Sequence, residues 1–182
     1  MGWKLKKTIV LVGMMGAGKT AVGKALAGRL DVPFLDSDAE IQDASAMSIA
    51  EIFKKYGESF FRQKESQVLE RLLDARTKGV LSTGGGAFLA EANRAMISEK
   101  GLSVCLSADL ELLWSRVRHK ATRPLLRTAN PKATLKEIYE RRAPIYALAD
   151  ISVPASPDYT IEDMAEKVLE AVIARRDVLE RK

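Results

Sequence analysis

The stretch GMMGAGKT, residues 13–20, follows the apolar run TIVLV and has the spacing G-x-x-x-x-G-K-[ST]. A loop that cradles phosphates needs this spacing, because glycines let backbone N–H groups close on an anion while the lysine reaches the outer phosphates. A plain glycine turn needs neither a strand before it nor a helix after it, and the sequence supplies both. The expected phosphate contacts are the N–H groups of Gly16, Ala17, Gly18, Lys19 and Thr20, at the positive end of the following helix, with Ala21 counted among the nucleotide-binding residues. Lys19 would neutralise charge on a transferred phosphoryl group, and the Thr20 hydroxyl would take one position on Mg²⁺.

Such a site calls for an acid on the magnesium side, and the strand VLSTGGG ends without one. Asp36 and Asp38 close the short strand VPFLDSD two residues apart, so on an extended backbone both side chains would point the same way. Asp36 is then the expected partner of a magnesium-bound water, and Asp38 the acceptor of a hydrogen bond from an attacking hydroxyl. The alternative is that one of them only caps the next helix. Asp109 is a rival magnesium acid, but its place before LELLWSRV favours a cap.

Arg62 and Glu65 in FFRQKE lie one helical turn apart, close enough to pair, and a surface ion pair of that kind is worth little. What favours a functional reading is the triple glycine Gly84, Gly85 and Gly86 at the end of a buried strand. Three glycines cost conformational entropy and are tolerated where the backbone must approach a ligand closely. A small anionic substrate over the glycines, its carboxylate clamped by an arginine, accounts for both features. The segment KATRPLLRTANPKA, residues 120–133, has two prolines and no helical period, which reads as a mobile loop. Within it, Arg123 is placed to fold over bound phosphates, stabilise transition-state charge and exclude water. Lys120 belongs to the same cationic run, and Arg127 and Lys132 are read as a solvated surface. His119, the single histidine, follows a helix end whose dipole welcomes a cation, and with one cysteine beside it no zinc site is expected.

The elements that must position these groups alternate along the chain. Strands are expected at Thr8–Val12, within VPFLDSD, within GVLSTGGG, within LSVCLSA and within DISVPAS. Helices follow the glycine loop and DSD, with a Ser48/Glu51 capping pair opening one that stops near Gly57 and a longer one running from Glu58 to about Arg76. Others run from about Ala90 to Lys100, from Asp109, from a Thr134/Glu137 capping pair to Leu148, and from Thr160. That order gives an α/β fold of three layers, a five-stranded parallel sheet flanked by helices, with ligands at the carboxyl ends of the strands.

At 182 residues and 47% hydrophobic content the chain suits one domain. The net charge of +5 is dispersed among nearly as many acids, which argues against nucleic acid. Cys105 sits in an apolar run and reads as a small core residue, and a lone cysteine allows no disulfide within the chain. No apolar run spans a bilayer and no cleavable leader is recognised, so a soluble, cytoplasmic protein is expected.

With these residues in place the chain resembles the shikimate kinase family, in the nucleoside-monophosphate-kinase-like branch of P-loop kinases. The resemblance runs in order through GMMGAGKT, DSD, SIAEIF, GESFFRQKE, STGGG, RPLL and RRAPIY. It implies transfer of the ATP γ-phosphoryl group to the 3-hydroxyl of shikimate, giving shikimate 3-phosphate and ADP on the way to chorismate and the aromatic amino acids. It implies Mg²⁺ held through Thr20 and Asp36, and catalytic roles for Lys19, Asp38 and Arg123. Shikimate would be held by Asp38, Arg62, Gly84, Gly85, Gly86 and Arg142, the last in R-x-P-L-Y with Ile145 in place of leucine. Arg116 falls where the family sets an arginine against adenine, and Glu65 would orient Arg62. A substrate-binding segment of about 37–76 and a lid of about 120–133 are expected within the one domain, acting as a monomer. Gln42 and Ala46 stand where the family often has glutamate and glycine, which touches helix geometry more than activity. The rivals are a kinase for another small acid such as gluconate, a nucleotide kinase, and a regulatory module that senses ATP without turnover.

Overall fold

The computed structural model describes residues 2–119 and 127–182. Strand β1 (Trp3–Leu5) precedes β2 (Thr8–Val12), whose five residues are all buried. A strand apolar on both faces must be covered on both, and β2 lies at the centre of a parallel sheet ordered β3-β4-β2-β5-β6. Its neighbours are β4 (Val80–Ser82), with Val10 opposite Leu81, and β5 (Gly101–Ser107), with Val10 opposite Ser103. β3 (Phe34–Asp36) and β6 (Ile151–Pro154) form the two edges. The five-stranded parallel sheet with flanking helices is the fold expected.

After β2 the glycine loop leads into α1 (Lys19–Leu30), then β3, α2 (Ser37–Ser45), α3 (Ile49–Tyr56) and α4 (Glu58–Asp74). A 3₁₀ turn (Ala87–Leu89) follows β4, and α5 (Glu91–Lys100) returns the chain to β5. Beyond β5 come α6 (Leu110–Val117), α7 (Pro131–Tyr146), β6, α8 (Ile161–Ile173) and β7 (Leu179–Arg181). The chain winds from β2 out to one edge, returns to β4 beside it, and crosses to β5 on the other side. That reversal opens a crevice at the carboxyl end of the central strand.

The main core joins β2, β4 and β5 to α1 and α8, with Ile9, Leu26, Leu81, Leu102 and Val168 buried. The excursion through α2, α3 and α4 has a smaller core of its own, Ile41, Ile52, Phe61 and Val68. No helix among the described residues is long and apolar enough to cross a membrane.

Two expectations need correction, and one element is new. The backbone does not stay extended through Asp36 and Asp38: α2 begins at Ser37, and Asp36 caps it by accepting hydrogen bonds from the N–H groups of Asp38 (2.9 Å) and Ala39 (3.2 Å). The helix expected from Thr134 begins at Pro131, capped by Asn130, so residues 131–133 are helix and not loop. Finally, β1 and β7 pair antiparallel in a separate ribbon, Leu5 opposite Leu179, that the sequence reading did not foresee.

Candidate active site

A cleft of about 740 Å³ opens at the carboxyl ends of the parallel strands. Residues 16–21, Asp36, Asp38, Arg62, Gly84 to Gly86, Arg116 and Arg142 all line it, so the expected site residues that are described fall in one place. Lys120 and Arg123 lie outside the described residues. Among the described lining residues four cations, Lys19, Arg62, Arg116 and Arg142, face two carboxylates, Asp36 and Asp38. That surplus of positive charge in a concave site attracts anionic reactants.

The nucleotide side is built from the glycine loop. Gly13, Gly16 and Gly18 have φ of 143°, 84° and 94°, values that side chains rarely tolerate. α1 starts at Lys19 with no side chain capping it, which leaves its first N–H groups without helical partners at the positive end of the dipole. Lys19 Nζ donates to the carbonyls of Gly13 (2.7 Å) and Met14 (3.1 Å), folding the side chain back across the loop. Arg116 Nη1 donates to Gly16 O at 3.0 Å, which brings α6 against the loop.

The opposite side is organised by the three glycines, each giving way to a different side chain. A Cβ on Gly84 would stand 2.7 Å from Asp38 Oδ1, one on Gly85 would stand 3.3 Å from Arg142 Nη1, and one on Gly86 would stand 2.6 Å from Arg62 Cζ. Two arginines and a carboxylate therefore converge over a bare strip of backbone. Gly84 N–H donates to Ser37 Oγ at 3.2 Å, tying the strip to the start of α2.

Burial first, and then the neighbouring Asp36, raise the Asp38 carboxyl above its usual range, while Lys19 and Arg62 pull it partly back. Glu65, 2% exposed, is pushed up by burial and pulled down by Arg62, whose Nη1 donates to it at 3.0 Å. A buried carboxylate behind the arginine fixes where the guanidinium points, which a surface ion pair would not do. Arg62 also reaches Glu58 at 3.6 Å.

The capping alternative holds for Asp109, whose Oδ1 accepts from Leu112 N–H at 2.8 Å and which does not line the cleft. For Asp36 both readings coexist: one oxygen caps α2 and the residue still faces the cleft. Cys105 is buried, and burial pushes its thiol up to about 11, as suits an inert core residue. Missed by sequence reasoning were Ala155, Ser156 and Tyr159, which enter the cleft after β6. Their signal was positional, since the carboxyl end of an edge strand in a parallel sheet belongs to the ligand face.

The sequence model of the family described as shikimate kinase matches residues 15–173. A shikimate kinase of Ruegeria pomeroyi is 64% identical over 176 residues, 97% of this chain and 90% of that protein. One of Cereibacter sphaeroides is 64% identical over 177 residues, 97% of this chain and 88% of that protein. Among solved structures, the shikimate kinase of Acinetobacter baumannii in complex with shikimate superposes with a TM-score of 0.85 at 38% identity, covering 93% of this chain and 94% of that one. A match of this extent on both sequence and fold means that the chain belongs to the shikimate kinase family.

Proposed function

We propose that this cleft carries out the family's reaction, transfer of the ATP γ-phosphoryl group to the 3-hydroxyl of shikimate, with the labour divided between its two sides. One observation carries the acceptor side: Asp38, Arg62 and Arg142 converge on Gly84 to Gly86 across the cleft from the glycine loop. Two guanidinium groups suit a carboxylate, and Asp38 suits a hydroxyl as hydrogen-bond acceptor. On the nucleotide side the N–H groups of residues 16–21 bind phosphates, and Arg116 lies against the base. Lys19 swings from the Gly13 and Met14 carbonyls onto the transferred phosphoryl group. Arg123, outside the described residues, adds charge from a lid that ends before α7 begins at Pro131, and residues of about 37–76 move with the acceptor.

The Thr20 hydroxyl and the uncommitted Asp36 oxygen offer hard oxygen donors in the same cleft, a set that fits Mg²⁺ when phosphates and waters complete its shell. When bound, the ion neutralises charge on the phosphates. The rest is positioning: Arg62, oriented by Glu65, and Arg142 fix the carboxylate, which sets the 3-hydroxyl against Asp38 and in line with the γ-phosphorus. The enzyme is proposed to act as a cytoplasmic monomer that needs neither nucleic acid nor membrane.

The test is ADP release with Mg·ATP, measured with shikimate, quinate and gluconate in parallel beside a control without acceptor. Turnover with shikimate and little with the others is expected. Binding of ATP with no acceptor turned over would overturn the reading in favour of a nucleotide sensor.

A further inference from the structure

Tyr146 stands behind the cleft wall. It is 3% exposed, does not line the cleft, and belongs to the last turn of α7. Its hydroxyl donates to the carbonyl of Gly85, the middle glycine of the acceptor strip. A Cβ on Gly85 would stand 3.9 Å from that hydroxyl and 3.3 Å from Arg142 Nη1, so both side chains crowd the same glycine. The two residues are one helical turn apart on α7, where side chains meet.

The donor inventory fixes the direction of the contacts. A guanidinium only donates, and the Tyr146 proton is committed to Gly85, so the hydroxyl oxygen is left as an acceptor beside the Arg142 guanidinium that crowds the same glycine. Burial pushes the hydroxyl further above its ordinary range, and it keeps its proton at neutral pH. The side chain is almost fully buried, and with Met14 and Cys105 it lines a small cavity of about 70 Å³ at the carboxyl end of β5. The middle of the glycine strip and one carboxylate-facing guanidinium thus meet at a single buried oxygen.

We propose that Tyr146 is a positioning residue for the acceptor, its hydroxyl locking the Gly85 backbone and the Arg142 guanidinium into one arrangement that receives the acceptor's carboxylate. This rests on the acceptor reading given above. It separates Tyr146 from a core residue that merely fills space, because Phe fills the same space and can neither donate to Gly85 nor accept from Arg142.

The experiment compares wild type, Y146F, R142A and the double variant by steady-state kinetics with shikimate and with ATP varied separately, and by thermal unfolding. For Y146F the shikimate KM is expected to rise about tenfold, the size of losing the partner of a buried polar group, with the ATP KM unchanged and a cooperative unfolding transition retained. In the R142A background the same substitution should raise the shikimate KM much less, since one of the groups it holds is gone. A wild-type shikimate KM in Y146F overturns the inference while leaving the proposed reaction standing. So does an equal rise in the KM values of both substrates, or a rise as large in R142A as in wild type. A wild type that binds ATP and turns over no shikimate overturns the reaction, and the inference falls with it.

Discussion

Asp38 sits where a carboxylate is costly, half-buried and beside Asp36, and the cost has a sign that can be worked through. Its folded-state pKa is raised above the ordinary aspartate range, burial being the larger cause and Asp36 the next, so the native state holds the proton more tightly than the unfolded chain. Stability contributed by the protonated form is present below the unfolded value and is lost as pH rises through the folded one, so at neutral pH the ionised group destabilises the fold. D38N should therefore raise Tm at pH 7 while lowering kcat by about 10²-fold or more, the scale of a removed proton acceptor. ATP affinity should stay near wild type. The wild-type shikimate kcat/KM should fall on the acid side at a higher pH than an ordinary aspartate would give, and a pH profile checks this. Arg62 belongs to the same scale: R62A should raise the shikimate KM about 10- to 100-fold, as for a lost hydrogen bond to a charged group, with the ATP KM held. An unchanged shikimate KM would remove Arg62 from the site. Lys19 and Thr20 were legible in the sequence because their signal is local spacing, whereas the two aspartates reach the cleft although the extended spacing that linked them gives way to α2 at Ser37. The pairing of each glycine with its own side chain was not, since Gly84 meets Asp38 and Gly85 meets Arg142 only through the fold.

At the scale of elements, the glycine strip makes a prediction that separates fold from function. Gly86 has φ of −94°, which any residue adopts, so alanine there meets no backbone strain, yet its Cβ would overlap the Arg62 guanidinium. G86A should raise the shikimate KM at least tenfold, and its gain of up to about 1 kcal/mol through the unfolded state is offset by drawing Arg62 away from buried Glu65, so Tm should stay near or below wild type. Unfolding curves and KM values measured on one preparation check it. Ala46 is the converse case. It ends α2 at φ 53°, in the left-handed region that favours glycine. Gln42 holds the next turn by accepting from Ile49 N–H at 3.1 Å, so the helix end survives an alanine there. A46G should stabilise the protein by about 0.5–1 kcal/mol, the left-handed penalty less the entropy of glycine, without changing either KM. Helix starts were legible when one signal stood alone, as at Ser48 and Thr160. Before α7 the Thr134/Glu137 pair was read as the start, but Asn130, four residues earlier, is the cap, and Pro131 takes a first-turn position that needs no N–H.

For the molecule as a whole, the cleft depends on a sheet whose helices must stay seated, and part of that seating comes from a feature too short to read. β1 and β7 have three residues each, fewer than the alternation needed to recognise a strand, and pair residues as distant in sequence as Trp3 and Arg181. Yet Val178 and Leu179 are almost fully buried and join the main core that α1 and α8 share with the sheet. Lys6 N–H donates to Val178 O at 2.7 Å, and Lys182 N–H to Gly2 O at 3.0 Å, so the ribbon closes one chain end on the other. None of its residues lines the cleft. L179A should cost about 2–5 kcal/mol, the range for truncating a buried leucine, and leave the KM for ATP and for shikimate unchanged at a temperature where the variant is folded. Denaturant unfolding gives the first quantity and steady-state kinetics the second. A shift confined to the ATP KM would mean that the ribbon reaches the glycine loop through α1, whose amino terminus ends in the phosphate site, and that the two ends of the chain tune nucleotide binding as well as holding the fold.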